Sequence, residues 1–385
     1  MAVVTYVRNY GSYLQSFATQ ETIKSLGYET EVISTEGVGK IIAKARRKYF
    51  AKRLLNLSEL KSYAVTINGI IRMKIDSGYA RNIRKRDKKY DEFRKNFRFS
   101  KPLTSWQEIG EYCKNYSSVL VGSDQLWRPA NIEGDYYTLN FVPDEINKIA
   151  YSTSFGVSVL PPKQAEKAKQ FLPRINHISV REEKGRILVK NLTGIDVPVV
   201  CDPTMLLSRN EWDKYLPNHS EWSMRDYILC YFLGGNEEYL KFAKRMKVFM
   251  KKTLVGIVHC SGYNRNVNLY VDQTPFDIGP FDFIDLIKYA QCIMTDSFHC
   301  CVFSILYERE FFAFRRFADN DVMSTNDRLN TLFAWTGIEG RLLKGNEEPD
   351  EHLFTPINYD EVKRKLQQKR KTSMDYLERS LKEGK

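Results

Sequence analysis

Residues 292–306 read CIMTDSFHCCVFSIL and decide the fold more clearly than any other stretch. The first four residues are mostly apolar and predict a buried strand, which the polar pair Asp296 and Ser297 ends. The residues that follow are again apolar and predict a helix whose first turn contains His299. A strand that turns directly into a buried helix is typical of a parallel α/β sheet.

Short apolar runs and helical stretches alternate in the same way along most of the chain. A first series of predicted strands comprises Val3–Val7, Glu29–Ile33, Ser117–Val121, Lys148–Ser152, Ile178–Val180 and Val197–Cys201. A second series comprises Tyr227–Leu233, Thr253–Val258, Cys292–Thr295 and Phe311–Phe314. The pattern predicts an α/β protein with parallel sheets in two halves.

The length of 385 residues suits two domains at roughly 150 residues each. We predict an N-terminal domain over 1–205 that carries a basic helical insertion at about 40–101. A C-terminal domain is predicted over 206–355. Residues 356–385 are charged and predict a helix that packs back on the first domain.

The net charge of +12 is concentrated in one segment. Residues 40–101 contain 20 Lys and Arg against five Asp and Glu, whereas the rest of the chain is close to neutral. An anionic partner would therefore bind at this segment. A solvated surface without a partner is the alternative. Tyr and Phe lie among the charges, but no recognition motif for nucleic acid accompanies them, so we expect no nucleic-acid partner.

Several classes of protein are disfavoured by the sequence. No run reaches the roughly 18 apolar residues of a membrane span, and the N-terminus lacks the features of a secretory signal, so a cytoplasmic location is expected. Seven cysteines without a C-x-x-C pair suggest neither a disulfide framework nor a zinc ribbon. His299, Cys300 and Cys301 are adjacent, but neighbouring helical residues point about 100° apart, which disfavours a shared metal.

Ligands of open parallel sheets bind beyond the carboxyl ends of the strands, and two strand ends in the N-terminal half carry polar groups. Asn9-Tyr10-Gly11 enters a helix and could form either an ordinary turn or a backbone cradle for an anion. Gly122-Ser123-Asp124 places a hydroxyl and a carboxylate at the ligand edge, unless one of them only caps a helix.

Two further strand ends carry a cation or a titratable ring. Arg181 follows the strand Ile178–Val180 and suits bidentate capture of a carboxylate or phosphate, although an ion pair with Glu182 is the alternative. His299 lies in the first turn of its helix, where the positive dipole end disfavours imidazolium and attracts an anion. A bound dianion would favour the protonated ring. A purely structural histidine is the alternative.

The combination of these strand ends resembles the polysaccharide pyruvyl transferase family. The matching blocks occur in the family's order: NYGSYLQSFATQETIKSLGYETEVI, VLVGSDQLWRP, IAYSTSFG, ISVREEKG, VPVVCDPTMLL and GPFDFIDLIKYAQCIMTDSFHCCVFSIL. The resemblance implies two Rossmann-like domains that face each other across a cleft, similar to the glycosyltransferase-B type. It also implies an enzyme that moves the pyruvyl group of phosphoenolpyruvate onto two sugar hydroxyls as a cyclic ketal and releases phosphate.

The resemblance carries over to particular residues. It implies that His299 is the catalytic acid and that Arg181 binds the anionic donor. Asp124 is the candidate base for the acceptor. Around the donor we expect Asn9, Gly11, Ser297, Phe298 and Cys300, and around the acceptor Ser123, Asp124 and Trp127. The family often has glycine where Cys300 stands, and a side chain there could narrow the anion site.

Partners follow from the same resemblance. Phosphoenolpyruvate is a co-substrate, and neither a metal nor a further cofactor is expected. The acceptor is a sugar of a polysaccharide or of its lipid-linked precursor. Residues 40–101, with Arg84, Lys85 and Arg86 among the exposed cations, would suit peripheral binding to an anionic membrane surface. A nucleotide-sugar glycosyltransferase and a non-catalytic carbohydrate-assembly protein are the alternatives.

Overall fold

A computed structural model describes residues 1–51, 68–217, 226–258, 270–317 and 326–383. The fold is α/β with two parallel sheets, so the predicted class is confirmed. The first sheet has the strand order β1-β2-β3, and the second has the order β5-β4-β6-β7-β8. The strands are β1 Ser118–Val121, β2 Asn147–Thr153, β3 His177–Val180, β4 Tyr227–Tyr231, β5 Thr253–Gly256, β6 Cys292–Thr295, β7 Glu310–Phe314 and β8 Leu342–Leu343.

Helices precede, connect and follow these strands. In the N-terminal part they are α1 Tyr10–Ser25, α2 Gly39–Ala51, α3 at 68–75, α4 Ser77–Arg94, α5 Trp106–Cys113, α6 Pro129–Gly134, α7 Pro162–Phe171 and α8 Glu183–Thr193. In the C-terminal part they are α9 Arg209–Asp213, α10 Glu237–Met250, α11 Pro280–Tyr289, α12 Phe298–Leu306, α13 Asp327–Thr336 and α14 Tyr359–Lys382.

Three predicted strands of the N-terminal half are reduced to single bridges. Ala2 pairs with Val121, Val32 with Phe99 and Val199 with Val180. The chain bends at positions 6 and 7, before α1 begins, which ends the first run early. In the last run Pro198 has no N–H to donate and contributes only its carbonyl, to the Val180 amide. Predictions of extended strands at Val3–Val7, Glu29–Ile33 and Val197–Cys201 are therefore wrong.

The strands of the second series are found close to their predicted bounds. The order β5-β4-β6 places successive connections on opposite sides of β4, so the chain reverses direction across the sheet between β4 and β6. Such a reversal leaves a crevice at the carboxyl ends of the two strands. His299 follows β6 and therefore lies at this crevice.

Two helices connect the sheets. In α1 the Tyr10 ring stacks on Phe283 of α11 with centroids 4.8 Å apart, and the Tyr10 hydroxyl donates to the Ile278 carbonyl at 3.2 Å. The C-terminal helix α14 accepts a 2.8 Å hydrogen bond at the Ser380 carbonyl from Asn147 of β2, and it also packs on α13. These contacts join the two halves of the chain.

The predicted basic insertion is described only in part, because residues 52–67 lie outside the described ranges. In the described part of the insertion, α4 packs Tyr90 against Tyr10, with ring centroids 5.4 Å apart. Arg86 is also buried and donates to the Val258 carbonyl at 3.0 Å. The expectation that Arg86 belongs to an exposed basic surface is wrong. Among the helices of the described ranges, none is both long enough and apolar enough to cross a bilayer.

Candidate active site

His299 is held by the turn between β6 and α12. The Thr295 hydroxyl donates to the Tyr231 carbonyl and accepts from the Ser297 amide, which fixes the end of the strand. Ser297 then caps α12, since its hydroxyl accepts from the Cys300 amide at 3.5 Å. The result is a rigid turn that presents the imidazole from the first helical turn, with 6% of the residue exposed.

The N-terminus of α1 lies directly against the imidazole. A Cβ atom added at Gly11 would come within 2.0 Å of His299 Nδ1, which is far inside van der Waals contact. Asn9 caps this helix by accepting from the Ser12 amide at 3.1 Å. Two helix N-termini, those of α1 and α12, therefore converge on His299, and their dipoles favour a negative charge there.

Asp202 connects the two sheets, although the sequence analysis did not select it. Its side chain is fully buried, and Oδ2 lies 3.5 Å from His299 Nε2. The same oxygen accepts from Arg181 Nη1 at 2.9 Å and from the Ser123 hydroxyl at 2.7 Å. Oδ1 accepts from the amide and hydroxyl of Thr204. Asp202 is thus the common partner of a histidine, an arginine and two hydroxyls.

The electrostatics of this carboxylate favour its charged form. Burial works to raise the pKa of Asp202, but the nearby His299 and Arg181 outweigh it, so the pKa is far below its usual range. Asp202 therefore presents a negative charge to His299 Nε2 at 3.5 Å.

Arg181 has one edge of its guanidinium engaged and one edge open. Nη1 binds Asp202, whereas the adjacent Nε and Nη2 have no hydrogen-bond partner among the described residues, although the side chain is 1% exposed. Glu182 and Asp124 lie 3.7 Å from Nε and Nη2, beyond hydrogen-bond distance. Nε and Nη2 form the planar fork that binds carboxylates and phosphates bidentately.

A second arginine lies beside this fork. The Phe298 ring has the Arg181 guanidinium at 4.7 Å and the Arg328 guanidinium at 5.8 Å from its centroid. Burial, and then the like charges of Arg181 and Arg316, lower the pKa of Arg328. Burial raises the pKa of Glu182, whose carboxyl accepts from the Ser154 hydroxyl at 2.6 Å. Two arginines and Glu182 therefore lie in one buried corner of the site.

Asp124 faces the same space from the end of β1. Its backbone has φ = 81°, an uncommon value outside glycine, and its carboxylate accepts from the Ser12 hydroxyl at 2.5 Å. Burial raises its pKa, but the charges of Arg181 and His299 and the Ser12 hydrogen bond outweigh that effect and lower the pKa overall. Asp124 is therefore ionised, and 17% of its side chain is exposed.

The structure places the other predicted site residues in different settings. Ser123 is fully buried and donates to Asp202, so its hydroxyl positions that carboxylate. Trp127 is fully buried between Phe155 and Phe171, and its indole N–H donates to the Tyr137 carbonyl. Trp127 therefore belongs to the core of the first sheet, which corrects its assignment to an acceptor site. Cys300 is also fully buried.

Four residues of this cluster were missed in the sequence. Asp202 follows the apolar run that ends at Cys201, and this signal equals the one that selected Asp124. Ser12 and Glu182 are the sequence neighbours of Gly11 and Arg181, which the sequence analysis had selected. Only Arg328 lacks any local signal, because it lies in α13, away from every strand end that the sequence analysis selected. No trio of His, Cys, Asp and Glu in the described ranges is arranged to hold a metal ion.

The contact between Gly11 and His299 gives a testable expectation. Gly11→Ala adds a methyl group that overlaps the imidazole, so the ring or α1 must shift, at a cost of about 1–3 kcal/mol. We expect a stable fold and turnover reduced by about a hundredfold, since a misplacement near 1 Å has this effect on catalysis. Thermal unfolding and the rate of product formation measure the two effects.

The matched control is Gly39→Ala at the start of α2, where an added Cβ meets nothing within 4 Å. It tests the general effect of alanine in a helix, which is neutral or stabilising. Equal behaviour of the two variants would show that Gly11 does not constrain His299.

Comparison with known proteins gives one family and several distant structural likenesses. The model of the family described as polysaccharide pyruvyl transferase matches residues 9–316. No curated protein matches the chain. Similar solved structures include the UDP-GlcNAc 2-epimerase of Methanocaldococcus jannaschii in complex with UDP-GlcNAc and UDP, at 13% identity, 93% and 91% coverage of the two chains and TM-score 0.46.

Two further structures are similar at the same level. The UDP-GlcNAc 2-epimerase of Neisseria meningitidis, bound to UDP-GlcNAc, has 11% identity, 97% and 92% coverage and TM-score 0.44. The ADP-heptose LPS heptosyltransferase II of E. coli has 10% identity, 93% and 96% coverage and TM-score 0.37. Likeness at this distance carries no information about the ligands of this chain.

Proposed function

This chain belongs to the polysaccharide pyruvyl transferase family, and we propose that it transfers the pyruvyl group of phosphoenolpyruvate to a sugar. The acceptor is a pair of hydroxyls on a polysaccharide or its lipid-linked precursor, and the product is a cyclic pyruvate ketal with release of phosphate. One observation supports this most strongly. Arg181 is buried and keeps two N–H groups without a hydrogen-bond partner among the described residues, and Asp202, which binds its other edge, also lies against His299.

The donor is a small molecule with a carboxylate and a phosphate, and two arginines lie at the site. In this proposal the Nε–Nη2 fork of Arg181 takes one anionic group bidentately, and Arg328 contributes charge to the other. The N-termini of α1 and α12 add partial positive charge at the same place. In this proposal the methylene carbon of the bound donor faces His299.

The proposed reaction starts with a proton transfer. Protonated His299 gives its proton to C3 of the donor, which becomes a methyl group and leaves positive charge on C2. The first acceptor hydroxyl attacks C2 and releases its proton. Asp202 remains ionised throughout, because it stabilises the imidazolium before the transfer and its pKa is too low to take up the proton.

Phosphate then leaves with the electron pair of its bond to C2. The second hydroxyl attacks C2 and loses its proton, which closes the ketal. Two protons leave the sugar, one proton is gained by C3 and one by the departing phosphate, so the reaction balances.

Asp124 is the proposed acceptor of a hydroxyl proton. It is more exposed than Asp202, and its hydrogen bond to Ser12 links it to the helix that contacts His299. The low pKa keeps it ionised before the acceptor binds, although it also makes Asp124 a weak base. A weak base suffices here, because attack on a cationic C2 makes the hydroxyl proton far more acidic.

Thermal unfolding tests the choice of donor. We expect phosphoenolpyruvate to raise the melting temperature, since a ligand stabilises the folded state by RT ln(1 + [L]/Kd). Arg181→Lys keeps the charge but loses the planar fork, so the affinity for phosphoenolpyruvate should fall by about ten- to a hundredfold. The measurement is the shift in melting temperature over a donor titration.

The control is Arg186→Lys. Arg186 lies in α8 and is exposed, and it donates two hydrogen bonds to the carboxylate of Asp196. It should leave the donor titration unchanged. Stabilisation by a nucleotide sugar and not by phosphoenolpyruvate would contradict the proposal and favour a glycosyltransferase. An unchanged titration for Arg181→Lys would assign Arg181 to the ion pair with Asp202 alone.

A further inference from the structure

Helix α4 exposes a row of cations on one side and is anchored on the other. Its buried face is formed by Ala80, Arg86, Tyr90 and Phe93, which pack on the protein body. Arg81, Arg84, Lys85 and Lys88 are spaced at i, i+3, i+4 and i+7, so they share the helix face turned away from that body. We refer to these four residues as the basic stripe.

The charge of the basic stripe is not compensated within the described ranges. None of its four cations forms an ion pair there. The acidic residues of the same helix pair elsewhere: Asp87 and Asp91 bind Arg8, and Glu92 binds Lys95. The stripe is thus a surface of one sign, with local carboxylates already engaged.

The short helix that precedes α4 has an exposed apolar surface. Ile70, Ile71 and Ile75 in α3 are 56%, 49% and 70% exposed, and their spacing places them on one helix face with Lys74. We refer to the three as the isoleucine patch. Only Asp76, the N-cap of α4, separates α3 from α4, so the patch and the stripe are neighbours along the chain.

We propose that the basic stripe and the isoleucine patch together bind an anionic lipid surface. Cations attract the headgroups, and apolar side chains with a long-stemmed lysine among them enter the boundary between headgroups and acyl chains. Charge complementarity selects this occupant, because a protein partner for three isoleucines would not require an uncompensated row of arginine and lysine. The proposal concerns the surface of the chain and does not depend on the donor or on catalysis.

Vesicle co-sedimentation of the full chain tests the proposal. Vesicles of phosphatidylcholine alone are compared with vesicles that also contain phosphatidylglycerol, at low and high salt. The wild type should prefer the anionic vesicles, and its binding should weaken as salt is added. Part of the binding should persist at high salt, and we call this part the salt-resistant remainder. The basic variant carries four substitutions: R81Q, R84Q, K85Q and K88Q. At low salt it should bind anionic vesicles about a thousandfold more weakly.

The apolar variant separates the second contribution. It carries I70Q, I71Q and I75Q and should lose the salt-resistant remainder while it keeps the preference for anionic lipid. Each variant has a control with the same chemical change at exposed positions elsewhere. The basic control carries K244Q, R364Q, K371Q and R379Q, and the apolar control carries V159Q, I187Q and I195Q. Both controls should bind like the wild type, with folding checked by circular dichroism.

Three outcomes would overturn the proposal. Equal vesicle binding by all five proteins would show that the two surfaces have no lipid partner. Stronger, salt-sensitive binding to a homopolymeric RNA, unaffected in the apolar variant, would assign the stripe to nucleic acid. Concentration-dependent self-association that only the apolar variant loses would assign the patch to a second copy of the chain. Turnover of phosphoenolpyruvate enters none of these measurements.

Discussion

His299→Gln is expected to reduce turnover by about 10²–10⁴-fold while the protein stays folded. Glutamine keeps the approximate size and the hydrogen-bonding groups of the imidazole, but it cannot deliver a proton to the methylene carbon of the donor. The affinity for phosphoenolpyruvate should change much less, because the fork of Arg181 does not involve His299. Phosphate release with a sugar acceptor measures turnover, and the shift in melting temperature measures donor binding.

The matched control is His177→Gln. His177 begins β3 and lies 3.3 Å from the exposed carboxylate of Glu383, away from the cluster around Asp202. It should retain wild-type turnover. Near wild-type turnover of a folded His299→Gln protein would mean that His299 is structural and that the acid is another group.

Local sequence patterns predicted the second sheet well and the first sheet less well. In the second sheet β4 and β6 are buried along their whole length, and burial on both faces is readable from composition alone, whereas the two-residue strand β8 was not predicted. In the first sheet the outer runs are apolar because they are buried, as Val3 and Val4 are, yet they form only single bridges. The hydrophobic pattern of a sequence reports which residues are buried. The number of residues that pair with a neighbouring strand also depends on bends and prolines, which that pattern does not show.

The candidate site was predictable where each group follows its own strand. His299, Arg181 and Asp124 all lie at carboxyl ends of strands. In the structure Asp202 lies against His299 and Arg181, and Asp124 lies 3.7 Å from Arg181. Asp202 carries the same local sequence signal as Asp124, but its contacts with both His299 and Arg181 come from the tertiary structure and are not visible in the sequence. Residue type was also a poor guide to exposure: Trp127 and Arg86 both looked available for a partner and both are buried.

Asp202→Asn is expected to impair both stability and turnover, unlike His299→Gln. The amide keeps the shape of the side chain but leaves Arg181 buried without its close negative partner, and loss of one member of a buried pair costs about 3–5 kcal/mol. Turnover should fall by about 10²–10⁴-fold, because the imidazole loses the carboxylate that orients it and stabilises its charge. Urea unfolding and phosphate release measure the two effects.

The acid dependence of stability distinguishes this mechanism from a simple packing defect. The folded-state pKa of Asp202 lies below its unfolded value, so ionised Asp202 stabilises the wild type fully above about pH 4, and this contribution declines as the pH falls further. The difference in unfolding free energy between wild type and Asp202→Asn should therefore be largest near neutral pH and narrow below pH ~4. Asp196→Asn, which alters an exposed arginine pair, should cause only a small change at any pH. A difference that stays constant down to low pH would mean that the charge of Asp202 is not what stabilises the cluster, and that its hydrogen bonds to Ser123 and Thr204 are.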